Sequence, residues 1–408
     1  MINIEKVRND FPQLSHKIQG HTIVYFDNAA TTLKPLVVME KLKQYYLEEC
    51  ANIHRGIHTL SELSTAQFEA VRDKVQNFIH AHKREEIIFT RGTTESTNLV
   101  ARSYVENFLN QDDELLITEL EHHSNIVPWQ MAVQKTQTRL KAVSITEQGE
   151  LDLKAFESLL NPKVKFVAMN AISNALGTIN PIDQIIPLIR QKAPKAKIFI
   201  DAAQAVAHKE IDVQKLDIDF LAFSGHKLFG PTGVGVLYGK EELLNQMPPF
   251  MGGGDMIDEV TIEKTTYNAL PHKFEAGTPM IAQVIALGAA LDYVQELGLK
   301  NIEARESELL NYATQKLSEI PGLKILGPTS NKTSVISFVI EGLHPQDLAM
   351  MLNKYHLALR SGHHCTQPLM KKLGVTGTLR ASLSFYNTEA EVDHLVESLK
   401  KIIEIFGE

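Results

Sequence analysis

Residues 219–239, DFLAFSGHKLFGPTGVGVLYG, contain the pattern that decides the fold. A short apolar run at the start predicts a buried strand, and a second apolar run follows a Gly/Pro turn. Lys227 lies at the mouth of the first strand, beside Ser224 and His226, which could contact a phosphate. An ammonium on an apolar rim is easily deprotonated and then nucleophilic, so Lys227 is a candidate Schiff-base lysine. A surface lysine beside a strand turn is the alternative, and these residues alone favour it.

The composition narrows the class of protein. The chain has 408 residues, 44% of them hydrophobic and 22% charged, which suits a globular protein of two domains. A formal charge of −8 argues against a nucleic-acid partner. Cys50 and Cys365 lie far apart, which predicts no disulfide framework and fits a reducing compartment. The N-terminus lacks the apolar region of a signal peptide, and the apolar stretch 279–290 is too short to span a bilayer. We therefore expect a cytoplasmic protein with no membrane partner.

Strand and helix patterns alternate from residue 86 onward. The apolar runs predict strands at 87–89, 115–117, 143–145, 164–169, 198–200, 220–223 and 234–238. Such alternation predicts an α/β fold whose mostly parallel sheet is covered by helices on both faces. Polar residues recur where these strands end, at Thr93, Thr94, His122, Asn174, Asp201, Gln204 and 224–227. Because an open α/β sheet holds its ligand at that edge, the recurrence predicts a single site.

The pattern changes after two predicted helices, at about 280–297 and 300–319. Short strands then alternate with helices, which predicts a smaller α+β domain. The last predicted helix begins with a capping box, Thr388 to Glu391, and its apolar face extends to Phe406. No linker-like Ser/Gly run separates the two regions, so we expect the domains to be closely joined.

Asp201 gives the predicted site a chemical identity. A strand-end aspartate followed by small residues can hold the protonated pyridine nitrogen of pyridoxal phosphate, although a helix N-cap is a common alternative. Asp201 and Lys227 follow successive strands, so they can face one ligand. The segment with Thr93 at the next helix start offers free N–H groups and hydroxyls to a phosphate, and ordinary capping is the alternative.

Two histidines and a cysteine could carry further chemistry. His122 and His123 could stack on a ring or serve in acid–base work, with a metal pair as the weaker alternative. Cys365 lies in a polar loop near Arg360, where a lowered thiol pKa is favoured over an inert buried cysteine. A zinc site made of His363, His364 and Cys365 is an alternative, but it lacks a second cysteine in range.

Arg380 lies in a small-residue, apolar setting, TLRAS at 378–382. A buried arginine needs a partner. A substrate carboxylate held bidentately and a structural salt bridge are both open.

As a set, these residues resemble a known family. The chain is similar over essentially its whole length to the pyridoxal-phosphate-dependent cysteine desulfurases of the class V aminotransferase group, in the SUF-type (group II) branch that includes selenocysteine lyases. The motifs that carry the resemblance are HRGIH at 54–58, RGTTE at 91–95, EHHSNIVPW at 121–129, SNALG at 173–177, DAAQ at 201–204, SGHK at 224–227, FEAGTP at 274–279, RSGHHC at 360–365 and RAS at 380–382.

The resemblance implies a role for each matching residue. Lys227 would form the Schiff base with pyridoxal 5'-phosphate, and Asp201, Gln204 and His122 would contact the pyridine nitrogen, the ring hydroxyl and the ring face. The phosphate would be bound by Thr93, Ser224 and His226, and by Thr278 from the second subunit of a homodimer. The substrate carboxylate would be held by Arg380 and Asn174. Cys365 would be the nucleophile, with His54, Arg55 and Arg360 around it, and no metal site is implied.

The same resemblance implies the architecture and the reaction. We expect the type I transferase fold, with an N-terminal segment over 1–20, a large domain with a seven-stranded sheet over 21–290, and a small domain over 291–408. The implied reaction converts L-cysteine to L-alanine, leaves the sulfur as a persulfide on Cys365, and supplies iron–sulfur cluster assembly through an acceptor protein of the SUF system. A selenocysteine lyase acting on L-selenocysteine, or another type I enzyme such as an aminotransferase, is the alternative.

Overall fold

The structure, a computed structural model, describes residues 2–406. Its helices are α1 (Ile4–Asn9), α2 (Leu36–Gln44), α3 (Thr59–Phe78), α4 (Thr93–Val100), α5 (Glu106–Phe108), α6 (Val127–Thr136), α7 (Leu153–Leu159), α8 (Ile182–Lys192), α9 (Glu241–Gln246), α10 (Ile281–Leu297), α11 (Leu299–Ser318), α12 (Pro345–Lys354), α13 (Gln367–Lys372) and α14 (Glu389–Phe406). Its strands are β1 (Lys17–Ile18), β2 (His21–Thr22), β3 (Val24–Tyr25), β4 (Ile87–Thr90), β5 (Glu114–Thr118), β6 (Arg139–Val143), β7 (Val164–Asn170), β8 (Lys197–Asp201), β9 (Phe220–Ser224), β10 (Gly235–Gly239), β11 (Ile257–Val260), β12 (Thr265–Tyr267), β13 (Leu323–Leu326), β14 (Val335–Ile340), β15 (Leu357–Ala358), β16 (Arg360–Gly362) and β17 (Thr378–Ser382).

A seven-stranded sheet lies at the centre of the described residues, in the order β4-β10-β9-β8-β7-β5-β6. Only β10 runs antiparallel to its neighbours, which confirms the predicted mostly parallel sheet. Alternate side chains of β9 enter different apolar cores: Leu221 and Phe223 belong to one, and Phe220 and Ala222 to the other. Both faces of the sheet are therefore buried, which is why its strands appear in the sequence as continuous apolar runs.

The edge strand β6 corrects one sequence prediction. We expected a strand at 143–145, and the structure places it at Arg139–Val143. This strand pairs only with β5, and Arg139 at its start is exposed. An edge strand keeps polar residues on its open side, so an apolar run marks only the end of it.

The C-terminal part contains a second, antiparallel sheet in the order β13-β14-β17-β16. Helices α11, α12 and α14 bury their apolar faces against it. The capping box of α14 is present: Glu391 N–H donates to Thr388 Oγ1 at 3.2 Å, and Thr388 N–H donates to the Glu391 carboxylate at 3.1 Å. The expected burial of Phe406 is wrong, because this residue of the last turn is 51% exposed.

The N-terminal residues pack against the C-terminal part of the chain. β3 pairs in parallel with β15, more than three hundred residues later in the chain. Arg8 donates to the Tyr386 carbonyl at 2.6 Å and forms an ion pair with Glu391 at 2.9 Å. Within residues 2–406, no helix combines the length and the apolar character needed to cross a membrane.

Candidate active site

The C-terminal ends of the parallel strands surround a cavity of about 190 Å³. Its lining brings together ten of the predicted site residues, namely Thr93, His122, Asn174, Asp201, Gln204, Ser224, His226, Lys227, Arg360 and Arg380. These residues come from five strand ends and from the antiparallel sheet. The position at the strand ends follows the general rule for open α/β sheets.

One end of the cavity is built for an anion. Thr93 begins α4, and both its N–H and its hydroxyl lie 2.9 Å from Ser224 Oγ. Gly92, at φ +150°, lets the backbone pass so close that a Cβ there would lie 3.1 Å from Ser224 Oγ. The first N–H groups of α4 lack intrahelical partners and carry the positive end of the helix dipole. Hydroxyls and a helix start together suit a phosphate.

Lys227 and Asp201 both line the cavity. Burial lowers the pKa of Lys227 to about 8, with Asp201 acting in the opposite direction. Asp201 is buried at the end of β8, and its Oδ1 accepts from Ala203 N–H at 2.9 Å. Burial raises the pKa of Asp201, and the nearby Lys227 opposes this. A lysine that loses its proton this easily is a nucleophilic amine near neutral pH.

His122 is held as a neutral ring in one tautomer. Ser124 N–H donates to His122 Nδ1 at 3.0 Å, so the proton of the neutral ring lies on Nε2. Burial, with a further effect of Lys227, lowers the pKa of His122 to about 3. A flat, uncharged imidazole can lie against an aromatic ligand. Nearby, Gln204 Nε2 donates to the Ala29 carbonyl at 2.8 Å, which fixes that amide at the cavity wall.

Arg380 also lines the cavity and is 1% exposed. Its Nη1 donates to the Asn174 carbonyl at 2.8 Å and its Nη2 pairs with Asp27 Oδ1 at 2.9 Å, while Nε has no partner among residues 2–406. Burial lowers the pKa of Arg380, and Asp27 counteracts this. A buried donor without a partner is costly, so the free Nε indicates a place for an anionic ligand group.

Asn174 fits its predicted role less directly. Its Nδ2 donates to the His364 carbonyl at 2.8 Å, and its buried Oδ1 has no partner among residues 2–406. In this orientation the amide has a free acceptor at Oδ1 and a second N–H on Nδ2. Donation from that N–H to a substrate carboxylate stays a prediction.

The loop that carries Cys365 lies at the rim of the cavity. His364, which lines the cavity, and the half-buried Cys365 both adopt left-handed backbone conformations, with φ of +50° and +58°. His364 Nε2 lies 2.8 Å from Thr378 Oγ1, and the Cys365 carbonyl accepts from His123 N–H at 2.8 Å. Non-glycine residues take this conformation only where the surroundings enforce it. The fold therefore holds the thiol in a defined place beside the cavity.

Besides Cys365, three predicted residues lie outside this lining in the part of the chain that the structure describes. Thr278 lines a separate cavity of about 520 Å³. His54 Nε2 lies 3.0 Å from Glu69 Oε1, and Arg55 Nε lies 2.8 Å from Asp255 Oδ1. One chain alone does not bring these residues to Cys365, so their roles stay predictions.

One cluster has the residue types of a metal site. Ligand atoms of His54, Glu69 and His272 lie within 4.8 Å of one another. However, Arg72 Nε donates to the Glu69 carboxylate at 3.0 Å and Arg84 Nη2 donates to it at 2.8 Å. Two guanidinium groups already compensate the charge of this carboxylate, so the cluster is better described as an ion-pair network.

A buried acid next to His122, Glu121, was not predicted from the sequence. Glu121 is 0% exposed, and its carboxylate lies 2.5 Å from Thr118 Oγ1, 2.6 Å from Asn125 Nδ2 and 3.1 Å from Asn170 N. Burial raises the pKa of Glu121 to about 8, and Asp201 adds to this. A charged residue inside the run LLITELE at 115–121 is the signal that could have revealed it.

A second missed residue, Lys34, contacts the loop before Lys227. Lys34 Nζ lies 2.8 Å from the His226 carbonyl oxygen. The same oxygen accepts from the hydroxyls of Thr31 at 3.1 Å and Thr32 at 3.2 Å. Burial lowers the pKa of Lys34 to about 7. With Thr32 N–H, which donates at 3.2 Å, four donors fix the peptide that precedes Lys227. The small-residue turn DNAATT at 27–32 gave only a hint of this approach.

Comparison with known proteins decides the family. Residues 24–395 match the model of the class-V aminotransferases. The chain belongs to the class-V aminotransferase family. This class-V chain is 50% identical over 405 residues to a probable cysteine desulfurase of Synechocystis sp., covering 98% of this chain and 96% of the relative. It is 48% identical over 406 residues to a cysteine desulfurase of Dickeya dadantii, covering 99% and 98%. A cysteine desulfurase of Synechococcus elongatus is also 48% identical, over 400 residues and 98% of this chain, but the chain spans only 64% of that relative's length.

Solved structures agree with this assignment. The crystal structure of the Escherichia coli cysteine desulfurase CsdA (S-sulfonic acid) is similar with a TM-score of 0.92 and 39% identity, over 99% of both chains. The apo structure of a cysteine desulfurase from Thermococcus onnurineus gives a TM-score of 0.93 and 39% identity, also over 99% of both. A C-DES mutant with glycine covalently linked to its pyridoxal phosphate cofactor, at 21% identity and a TM-score of 0.83, shares the fold. These matches confirm the predicted type I fold of this class-V protein.

The cavity fits pyridoxal phosphate, the cofactor that the family implies. The donors of Thr93 and Ser224, with the start of α4, suit its phosphate. Asp201 suits the pyridine nitrogen, Lys227 suits the aldehyde, and the neutral ring of His122 can lie along the ring face. The unpartnered Nε of the nearby buried arginine remains for a substrate group.

Proposed function

We propose that the protein is a pyridoxal-phosphate-dependent cysteine desulfurase, which converts L-cysteine to L-alanine and retains the sulfur as a persulfide on Cys365. A lysine and an aspartate in one cavity suit many enzymes of this fold, including aminotransferases. The observation that favours desulfuration is the loop of Cys365, which is tied by its carbonyl to His123 beside the same cavity. A thiol at the rim is needed for sulfur transfer and has no task in amino transfer.

The substrate is oriented by its carboxylate. Arg380 is already held by Asp27 and by the Asn174 carbonyl, so its guanidinium cannot swing away from the cavity. Its free Nε can donate to the carboxylate of L-cysteine. A fixed guanidinium orients such a group with little loss of side-chain entropy. The sequence left a substrate contact and a salt bridge open for this arginine, and the geometry supports both together.

Lys227 is the residue that would transfer the proton at Cα of the substrate. When bound, pyridoxal phosphate supplies an electron sink that makes the Cα proton of the amino acid acidic. The amine of Lys227, with its pKa lowered to about 8, can take that proton and later return one to carbon. Asp201 is placed to keep the cofactor nitrogen protonated, because its carboxylate is buried in the same cavity.

Sulfur transfer falls to Cys365. Its thiolate attacks the sulfur of the bound cysteine, and an S–S bond forms as the Cβ–S bond breaks. The electron pair of the broken bond stays with carbon, which is protonated and leaves as alanine. The sulfur remains on Cys365 as a persulfide. Because this thiol is half-buried, we propose that a dedicated acceptor protein of the SUF system collects the sulfur for iron–sulfur cluster assembly.

We also propose that the enzyme works as a homodimer. Thr278, His54 and Arg55 belong to motifs of the family, yet they lie away from the cavity of their own chain. A second copy could bring them to it, with Thr278 at the phosphate. Size-exclusion chromatography with light scattering would measure the oligomeric state, and a monomer of full activity would contradict this proposal.

The test is an alanine and sulfide assay on L-cysteine with a reductant present. Cys365→Ser should abolish alanine formation from L-cysteine, whereas Cys50→Ser, the matched control at an exposed cysteine, should not. Cys365→Ser should still cleave L-selenocysteine, because selenium leaves carbon more readily and needs no protein thiol. Undiminished turnover of L-cysteine by Cys365→Ser would remove the proposed nucleophile, and a requirement for an oxo acid would favour an aminotransferase.

A further inference from the structure

His123 makes hydrogen bonds to the loop of the nucleophile at two points, Cys365 itself and Gln367, two residues later. Its backbone N–H donates to the Cys365 carbonyl at 2.8 Å. Its ring Nε2 accepts from Gln367 N–H at 3.1 Å. Gln367 is the first residue of α13, and its N–H has no intrahelical partner. The side chain of His123 therefore caps a helix that lies 244 residues away in sequence.

The loop before these two contacts is strained. Its His364 is held from other elements, by Asn174 Nδ2 at the carbonyl and by Thr378 Oγ1 at the ring, each at 2.8 Å. His364 and Cys365 both have positive φ, a conformation that is costly for residues other than glycine. Cys365 N–H donates to His363 Nδ1 at 3.0 Å, but His363 is exposed and belongs to the same loop. The contacts of His123 come from a different element, the turn after β5. They are suited to keep the loop in its strained conformation.

The protonation state of His123 agrees with this geometry. Burial lowers the pKa of His123, and the neighbouring His363 lowers it further. A neutral ring can carry its proton on Nδ1 and keep the lone pair on Nε2 that the Gln367 N–H needs. The residue before it, His122, lines the cavity. Two consecutive histidines thus link the cavity and the nucleophile's loop through one short turn.

We propose that His123 is a positioning residue for Cys365. By capping α13 and holding the Cys365 carbonyl, it keeps the thiol where it can reach the sulfur of the substrate. This rests on the proposed desulfurase function and assigns His123 no contact with cofactor or substrate. The contribution of the side chain is a hydrogen-bond acceptor at Nε2. A glutamine can supply an acceptor at a similar distance from the backbone, whereas a leucine cannot.

The test compares His123→Leu with His123→Gln in the holoenzyme, in a Cys50→Ser background so that only Cys365 reacts with thiol reagents. Three rates are measured: alkylation of Cys365 by iodoacetamide, single-turnover alanine formation from L-cysteine, and cleavage of L-selenocysteine. For His123→Leu we expect alkylation roughly fivefold faster and alanine formation roughly fivefold slower, which corresponds to one lost hydrogen bond. His123→Gln should restore both rates to near the parent values, and selenocysteine cleavage should be unchanged in both variants.

Several results would overturn the proposal. They are parent-like alkylation and alanine formation in His123→Leu, equal impairment in His123→Gln, or an equal loss of selenocysteine cleavage, which would indicate a general defect of the cofactor site. The alkylation rates do not depend on the reaction. If the parent protein formed no alanine from L-cysteine, the proposed function would fail, while a faster alkylation of His123→Leu alone would still show that His123 holds the loop.

Discussion

Glu121 gives the most quantitative prediction, because its ionisation is coupled to folding. Its carboxyl is fully buried, and burial raises the pKa of Glu121 from 4.5 to about 8. In the unfolded chain the group ionises near its usual pKa. Between these two values the folded protein keeps a proton that the unfolded chain has lost, so stability must fall as the pH rises. Glu121→Gln replaces the protonated acid with an amide that cannot ionise.

The size of the effect follows from the pKa. When the folded protein keeps one proton that the unfolded chain has lost, each pH unit changes the free energy of unfolding by about 1.36 kcal/mol. Between about pH 5 and about pH 8 the native protein should therefore lose ~4 kcal/mol of stability relative to Glu121→Gln. The amide also exchanges hydrogen-bond partners with Thr118, Asn125 and Asn170, but that cost does not depend on pH and does not affect the slope.

The assay is urea unfolding of both holoproteins, followed by circular dichroism across this pH range, with the free energies compared pairwise. All other titrating groups are shared, so the difference isolates Glu121. We expect the free energy of unfolding of Glu121→Gln to increase steadily, relative to that of the native protein, as the pH rises. A difference that stays constant within ~1 kcal/mol would refute a raised pKa, and a difference of opposite slope would mean that the carboxylate is ionised and stabilised in the fold.

Three further predictions concern single substitutions. Arg380→Lys should raise KM for L-cysteine roughly tenfold in steady-state assays, since a lysine offers no fixed fork; an unchanged KM would contradict carboxylate binding. Lys34→Met should lower kcat roughly tenfold without lowering the urea midpoint, because it removes one of the donors that hold the His226 carbonyl together with a buried amine; unaltered kcat would contradict its positioning role. His208→Phe should destabilise the fold by about 3 kcal/mol in urea unfolding, because it leaves buried Glu306 without its partner at 2.5 Å; an unchanged midpoint would contradict this.

The sequence predicts those site residues that directly follow a recognisable strand. The strand before Asp201 and the strand before Ser224 are buried on both faces, so they appear as apolar runs that end in a polar residue. Since parallel strands end at the same edge, the meeting of these residues follows from the strand assignment alone. Lys227 and His122 were identified in the same way.

The parts that could not be predicted depend on contacts distant in sequence. β3 pairs with β15, and nothing in the sequence around either strand shows that they pair. Arg380 meets Asp27 across 353 residues, and no pattern around either residue names the other. Glu121 ends an apolar run, which hints at its burial, but its contact with Asn170, 49 residues later in the chain, is found only when the fold has been assembled.

The central claim is that Cys365 receives the sulfur of L-cysteine. It is tested most directly by mass spectrometry of the holoenzyme after a single turnover with one equivalent of L-cysteine and no reductant. The peptide that contains Cys365 should gain the mass of one sulfur atom, which a reducing agent removes, and one alanine should be released for each modified chain. The peptide with Cys50 should stay unmodified. Release of alanine with no added sulfur on Cys365, or with the sulfur on another residue, would contradict the account.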